Sequence, residues 1–259
     1  MIANDPNLEI RLARDEQDLL GAQRLRYRVF VKELGGDGPM VDHCARLEKD
    51  RFDQYFDHLI LIDRRRDAEQ LDHVVGVYRM LRGTNADRAG GFYTEAEYDL
   101  STLRNNGRKL LELGRSCLDR NFRDGMALHL LWNGLADYVQ RHEIEIMFGV
   151  ASFRGTSLST LQEPLSYLHH HHLAPEDLRV RLWSGQGLPA SIMDRGAIDR
   201  LSAMRAMPAL IKAYLRVGGF IGQGAYVDQA FNTTDVCMIL DIARMNPRLK
   251  RRYTKKTSL

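Results

Sequence analysis

Lys109-Leu110-Leu111-Glu112-Leu113-Gly114-Arg115-Ser116-Cys117 is an apolar segment with a carboxylate at its centre and a guanidinium three residues on. It reads as a strand. A helical pattern follows from about Gly125 to Arg141, and Ile144-Glu145-Ile146-Met147-Phe148-Gly149-Val150 is a second strand behind it. Toward the N-terminus, Leu8, Ile10 and Leu12 alternate with Glu9 and Arg11 as a half-buried strand. Asp15 then opens a helix whose apolar residues Leu19, Ala22, Leu25, Val29 and Phe30 recur at helical spacing, and which stops near Gly35-Gly36. A polar loop over 37–51 leads to the apolar run His58 to Ile62. A charged turn over 64–72 joins it to Val74 through Leu81, a hairpin, and a Gly-rich loop surrounds Gly90-Gly91.

The second half is less regular. Residues 156–169 read as a helix, Arg179 to Trp183 as a weak strand, Pro208 as the start of a helix over Ala209 to Val217, and Val236 to Ile242 as a late strand. The order predicts an α/β fold, a mixed sheet flanked by helices. One domain is expected over residues 1–247, with its core at about 8–155 and a C-terminal half over 156–247.

With 259 residues, 44% hydrophobic and 27% charged, the chain can bury a sizeable core. Its formal charge of +3 is unevenly placed. Arg248, Lys250, Arg251, Arg252, Lys255 and Lys256 are six cations in a tail over 248–259 with no acid, which leaves residues 1–247 at −3. That body argues against a surface built to grip nucleic acid. Three dispersed cysteines, Cys44, Cys117 and Cys237, fit reduced thiols in the cytoplasm. Acids and Pro6 stand where a signal peptide would be basic and then apolar, so no export is indicated. No uncharged run reaches the roughly eighteen residues that cross a bilayer.

Ionisable residues inside apolar strands are the informative feature. A carboxylate such as Glu112 in an apolar strand is neutralised, paired, or kept for proton transfer; the plainer alternative is that it faces solvent. Strand alternation puts Glu112 and Arg115 on opposite faces unless Gly114 permits a bulge. Arg79 ends its strand, where a solvated position is the common explanation. Arg24 and Arg28 share one helix face, a plain basic face, and Arg26 points away from them. Asp42, Asp50 and Asp53 suit either recognition of an ammonium group or turn capping. Two His-x4-Asp sequences, from His58 and from His172, are no more than chance supplies. Histidines 169–172 cannot all face one ion, so no metal is expected and a solvated helix end is.

Several segments together resemble one family. Leu25-Arg26-Tyr27-Arg28-Val29-Phe30, Asp50-Arg51-Phe52-Asp53, Val75-Gly76-Val77-Tyr78-Arg79 and Leu111-Glu112-Leu113-Gly114-Arg115-Ser116 are similar, in order and spacing, to the GNAT-like acyltransferases that use acyl carrier protein as donor, a group that includes the acyl-homoserine lactone synthases. The longer wording, with Glu112 to Cys117 and Phe231-Asn232-Thr233-Thr234-Asp235-Val236, looks more like the ornithine N-acyltransferases of bacterial ornithine lipid synthesis. The resemblance implies attack by the α-amine of L-ornithine on a 3-hydroxyacyl thioester of acyl carrier protein, giving lyso-ornithine lipid. It implies Glu112 as general base with Arg115 beside it, and Arg26, Asp50, Asp53 and Arg79 around the amino acid. Leu113, through its backbone N–H, Arg123 and Gly125 would meet the donor pantetheine. No cofactor is implied, since the acyl-phosphopantetheine is itself a substrate.

Two rivals stand beside this reading. An autoinducer synthase is disfavoured by Gly35-Gly36, where that group resembles a Gly-Trp, and by the longer C-terminal half; a non-catalytic acyl or carrier-protein binding module at the membrane comes from another class. The basic tail fits either peripheral contact between a cytoplasmic protein and the anionic inner membrane or a solubilising extension.

Overall fold

The computed structural model describes residues 5–123, 125–184 and 192–246; the basic tail over 248–259 lies outside them. The first elements are β1 (Leu8–Leu12), α1 (Glu16–Arg26) with a π-helical extension over Tyr27–Glu33, β2 (Asp57–Asp63), β3 (Val74–Arg82) and α2 (Gly83–Ala89). Next come β4 (Tyr98–Asp99), α3 (Ser101–Arg104), β5 (Leu110–Leu118), α4 (Met126–Arg141) and β6 (Ile146–Arg154). The last are α5 (Leu158–His172), β7 (Arg181–Leu182), α6 (Arg200–Ala206), α7 (Ala209–Arg216), β8 (Phe220–Ile221), β9 (Tyr226–Asp228) and β10 (Thr233–Asp241). Sheets flanked by helices were expected and are present.

These elements form two compact units that interleave along the chain, and one division between them falls inside β5. The first unit holds residues 5–90 and 113–143, and the second 91–112 and 144–246, among the described residues.

In the first unit, β1, β2 and β3 are antiparallel neighbours and the second half of β5 lies beside β3. Strand β2 is apolar at successive positions because both of its faces are covered. Ile60 and Ile62 pack with Ala22, Leu25 and Val29 of the first helix and its extension. Leu59 and Leu61, on the opposite face by strand alternation, lie under α4. At Gly134 of α4 an added Cβ would stand 2.8 Å from Ile10 Cγ1 and 3.2 Å from Leu59 Cδ1, so the helix rests on the sheet at a point with no room for a side chain. Asp15 caps the first helix by accepting from the Asp18 N–H at 2.9 Å.

In the second unit, the first half of β5 runs parallel to β6, pairing Leu110 with Ile146 and Glu112 with Phe148. Strand β10 runs antiparallel to β6 along its whole length and also pairs with β8 and β9. Strands β4 and β7 form a separate small ladder.

The expected Gly-rich loop around Gly90-Gly91 is more structured than its sequence suggests. It follows the short helix α2, whose end Gly90 closes with φ +77°, and leads into a 3-10 turn over Tyr93–Ala96. Replacing Gly134 by Val is expected to lower the unfolding free energy by about 1–3 kcal/mol in urea titrations, through overpacking under α4.

Candidate active site

Six side chains of the first unit, three arginines and three carboxylates, alternate around a closed ring. Arg26 ends α1, Glu48, Asp50 and Asp53 come from the loop before β2, Arg79 from β3 and Arg115 from β5. Arg26 Nε donates to Glu48, and its Nη1 to Asp53 Oδ1 at 2.6 Å. Arg79 Nη1 donates to the same Asp53 oxygen at 2.7 Å and to both Asp50 oxygens at 2.8 Å. Arg115 completes the circuit, with Nε 3.1 Å from Glu48 Oε1 and Nη2 3.6 Å from Asp50 Oδ2. Gln23 supports Asp53 Oδ2 at 2.9 Å, and the Arg79 guanidinium lies 4.4 Å from the centre of the Phe56 ring.

The backbone is shaped to close this ring. Asp50 accepts from the Phe52 N–H at 2.9 Å, which turns the loop so that Asp50 and Asp53 both face Arg79. Arg115 adopts φ +48°, a left-handed conformation that costs a non-glycine residue roughly 1–3 kcal/mol. The departure from regular strand geometry falls at Arg115 itself, and its side chain turns to Glu48 and Asp50.

Burial separates the members. Arg26 is fully buried and Arg79 is 1% exposed, so the solvated strand end expected for Arg79 is corrected: three acidic oxygens compensate its charge inside the protein. The side chains of Asp50 and Arg115 keep 18% and 13% of their surface and form the open edge. Burial alone would raise the Glu48 carboxyl, but Arg26 and Arg115 outweigh it and bring it down to about 2. Burial likewise opposes ionisation of Asp53, and Arg26 and Arg79 again win, holding it well below the usual range. His58 goes the other way: burial and then Arg26 lower it to about 4, so a neutral ring donates from Nε2 to the Asp53 carbonyl at 3.0 Å.

Glu112 lies in the second unit and is 1% exposed, which overturns the solvent-facing alternative. Its oxygens accept from the backbone N–H of Tyr93 at 2.8 Å and of Thr94 at 2.6 Å. Phe92 sets that turn in place with its ring edge-on to Phe148, the residue paired with Glu112 across the ladder, at 4.9 Å. Two further carboxylates, Glu97 and Asp235, are buried in the same unit. Tyr98 donates to the carbonyls of Gly224 and Asp235 at 3.1 Å, and burial raises its hydroxyl well above the usual range, with the Glu97 and Asp235 carboxylates adding to it.

Of the residues expected to meet the donor, Arg123 and Gly125 lie just before α4 and Leu113 lies in β5, all in the first unit. Gly125 precedes α4 with φ +95°. Arg123 donates to the Leu118 carbonyl at 2.9 and 3.1 Å and pairs with Glu33 at 2.9 Å, and Leu113 is buried in β5. Asp42 accepts from the Ala45 N–H at 2.8 Å, a turn cap. Histidines 169–172 close α5, where His171 stacks on Tyr167 at 4.7 Å and a nitrogen of His170 meets the Met193 carbonyl at 2.9 Å. Sequence reasoning missed Glu48 and Glu97. The signal for Glu48 was Asp50 and Asp53 close behind it, facing a helix that carries Arg26.

Helices flanking a mixed sheet are the architecture expected for an acyltransferase of the GNAT type. The acetyltransferase (GNAT) domain pattern matches residues 25–133. The chain is 55% identical over 256 residues to the L-ornithine N(alpha)-acyltransferase of Rhodobacter capsulatus, covering 99% of this chain and 98% of that one. It is 40% identical over 244 residues to the L-ornithine N(alpha)-acyltransferase of Brucella abortus, covering 93% and 87%. The chain belongs to the L-ornithine N(alpha)-acyltransferase family. Its fold is also that of FeeM, an N-acyl amino acid synthase from uncultured soil microbes, with TM-score 0.54 over 95% of this chain and 97% of that one at 11% identity.

Glu48 ties the ring to pH. Its carboxyl falls from the ordinary 4.5 to about 2 in the folded protein, so its stabilisation is fully present above 4.5 and is lost as pH drops toward 2. A Glu48→Gln variant should be less stable at neutral pH, and a plot of its unfolding free energy should fall less steeply between those pH values than that of the parent.

Proposed function

We infer that the protein transfers a 3-hydroxyacyl group from the phosphopantetheine thioester of acyl carrier protein to the α-amine of L-ornithine, giving lyso-ornithine lipid. The carrying observation is the 55% identity to an L-ornithine N(alpha)-acyltransferase, which spans both chains almost end to end. It weighs against the autoinducer-synthase alternative, and membership of an acyltransferase family weighs against a non-catalytic module.

In this reading the amine nitrogen attacks the thioester carbonyl, the C–N bond forms, the C–S bond breaks and the thiolate leaves with a proton. The amine must first lose its own proton, and Glu112 takes it, directly or through water. Its two backbone donors fix the carboxylate on β5. Backbone N–H at Leu113 meets the developing oxyanion, and Arg123 and Gly125 meet the single phosphate of the donor arm. No further cofactor enters.

The polar cluster takes a divided role. Arg26, Asp53 and Arg79 are sealed and neutralise one another with Glu48, so they hold the loop and the strands in place rather than bind the amino acid. Asp50 and Arg115, on the open edge, remain available to it.

Incubating the protein with 3-hydroxyacyl carrier protein and a panel of amines should release carrier thiol with ornithine and not with S-adenosylmethionine, and mass spectrometry should find the Nα-amide. Glu112→Gln should lower kcat by about 100-fold or more in a folded protein, the scale of a lost general base; full activity would remove Glu112 from that role. No helix among the described residues is long and apolar enough to cross a membrane. Peripheral attachment through the tail is expected to appear as weaker, salt-sensitive binding to anionic vesicles when residues 248–259 are deleted.

A further inference from the structure

Residues 1–247 sum to −3, yet the first unit gathers cations around one cleft. This cleft, of about 520 Å³, is lined by Arg24, Tyr27, Arg28, Lys32, Arg46 and Asp72, among others. The basic helix face read from Arg24 and Arg28 thus opens onto a concavity, and the ring and Glu112 take no part in it. Its one carboxylate, Asp72, is engaged by Arg28 and lies 3.5 Å from Arg66. Arg24 donates from Nη2 to the Ala45 carbonyl at 2.9 Å, and Lys32 stands 5.7 Å from the centre of the Tyr27 ring. Neither these two nor Arg46 has a carboxylate partner among the described residues, and the Nε atoms of Arg24 and Arg28 are buried without an acceptor. Three cations are therefore left without a counterion around donors that lack acceptors, an arrangement that favours an anionic partner.

Its position indicates which partner. Arg28 Nη2 lies 3.7 Å from Asp119 Oδ2, and Asp119 accepts from the Asn121 N–H at 3.0 Å in the turn that leads to α4. Glu33, next to Lys32, pairs with Arg123 in the same turn at 2.9 Å. The cleft is thus joined by direct ion pairs to the segment assigned to the donor's phosphate.

We propose that this cleft docks the acidic protein that carries the acyl thioester, with clustered carboxylates of that protein meeting Arg24, Lys32 and Arg46. The proposal rests on the thioester-donor reading above and locates its protein contact. A carboxylate-bearing protein is favoured over a lipid surface because the cations converge into a recess beside the donor turn, whereas a flat polybasic contact suits a membrane.

The test compares the parent with the triple variant Arg24→Glu, Lys32→Glu, Arg46→Glu and with the milder pair Lys32→Gln, Arg46→Gln, each checked by thermal unfolding. The donors are 3-hydroxyacyl carrier protein and the protein-free 3-hydroxyacyl phosphopantetheine. The triple variant should lose about tenfold or more in kcat/KM for the carrier-protein donor, together with most of its salt dependence, and keep its kinetics with the protein-free donor and its KM for ornithine. The milder pair should show a smaller loss in the same donor only. Unchanged carrier-protein kinetics would overturn the proposal, as would an equal loss with both donors. Loss of binding to anionic phosphatidylglycerol vesicles with carrier kinetics intact would reassign the cleft to lipid. A parent protein inactive with both donors would refute the donor reading itself, and this docking with it.

Discussion

A guanidinium cannot be taken out of water without its counterions, and Arg26 is fully out of water. From that constraint the arrangement of the first unit follows. Glu48 and Asp53 must both come to Arg26, so the loop that carries them is drawn onto the end of α1. Asp53 then needs a second cation, which is Arg79, and Glu48 shares Arg115, whose backbone turns left-handed to reach it. With Asp50 bridging Arg79 and Arg115 the charges sum to zero and the circuit closes. Each ion pair alone would barely offset its desolvation; a closed ring gives most charges two partners, which is what makes the burial tolerable.

The ring also sets what is left for chemistry. Groups that compensate one another inside the protein are poor choices for holding a substrate that must come and go, because each release would strand a buried charge. The open edge at Asp50 and Arg115 escapes that argument, since water can replace a departing partner there. Glu112 sits three residues before Arg115 on the same strand and lies outside the ring: its oxygens accept from the backbone N–H groups of Tyr93 and Thr94.

Much of this could be read from the residues. Continuous apolar runs bounded by polar turns marked β2, β3, β5 and β6, and helical spacing marked α1 and α4, because burial dictates those patterns directly. Short helices such as α2 and α6 could not be read, since seven residues give too few turns for a periodic stripe. The unit boundary inside β5 was equally invisible, because a strand's sequence records its faces and not which neighbours pair with each half. Arg79 was misjudged because a lone arginine at a strand end does not announce its partners, Asp53 and Asp50, which come from a loop 26 and 29 residues earlier. Glu48 was missed because a glutamate between Leu47 and Lys49 looks like any solvated loop acid. The resemblance to acyltransferases drew Arg26, Asp50, Asp53, Arg79 and Arg115 together, and only the geometry separated the sealed ones from those at the edge.

The most direct test of the ring as a mutually compensating framework is a double-mutant cycle on Arg26 and Glu48, read as unfolding free energy at neutral pH. Arg26→Met and Glu48→Leu should each cost about 3–5 kcal/mol, because each strands a buried charge, and the double variant should cost far less than their sum because it removes both. Losses that simply add would contradict the account, since the two side chains would then act independently.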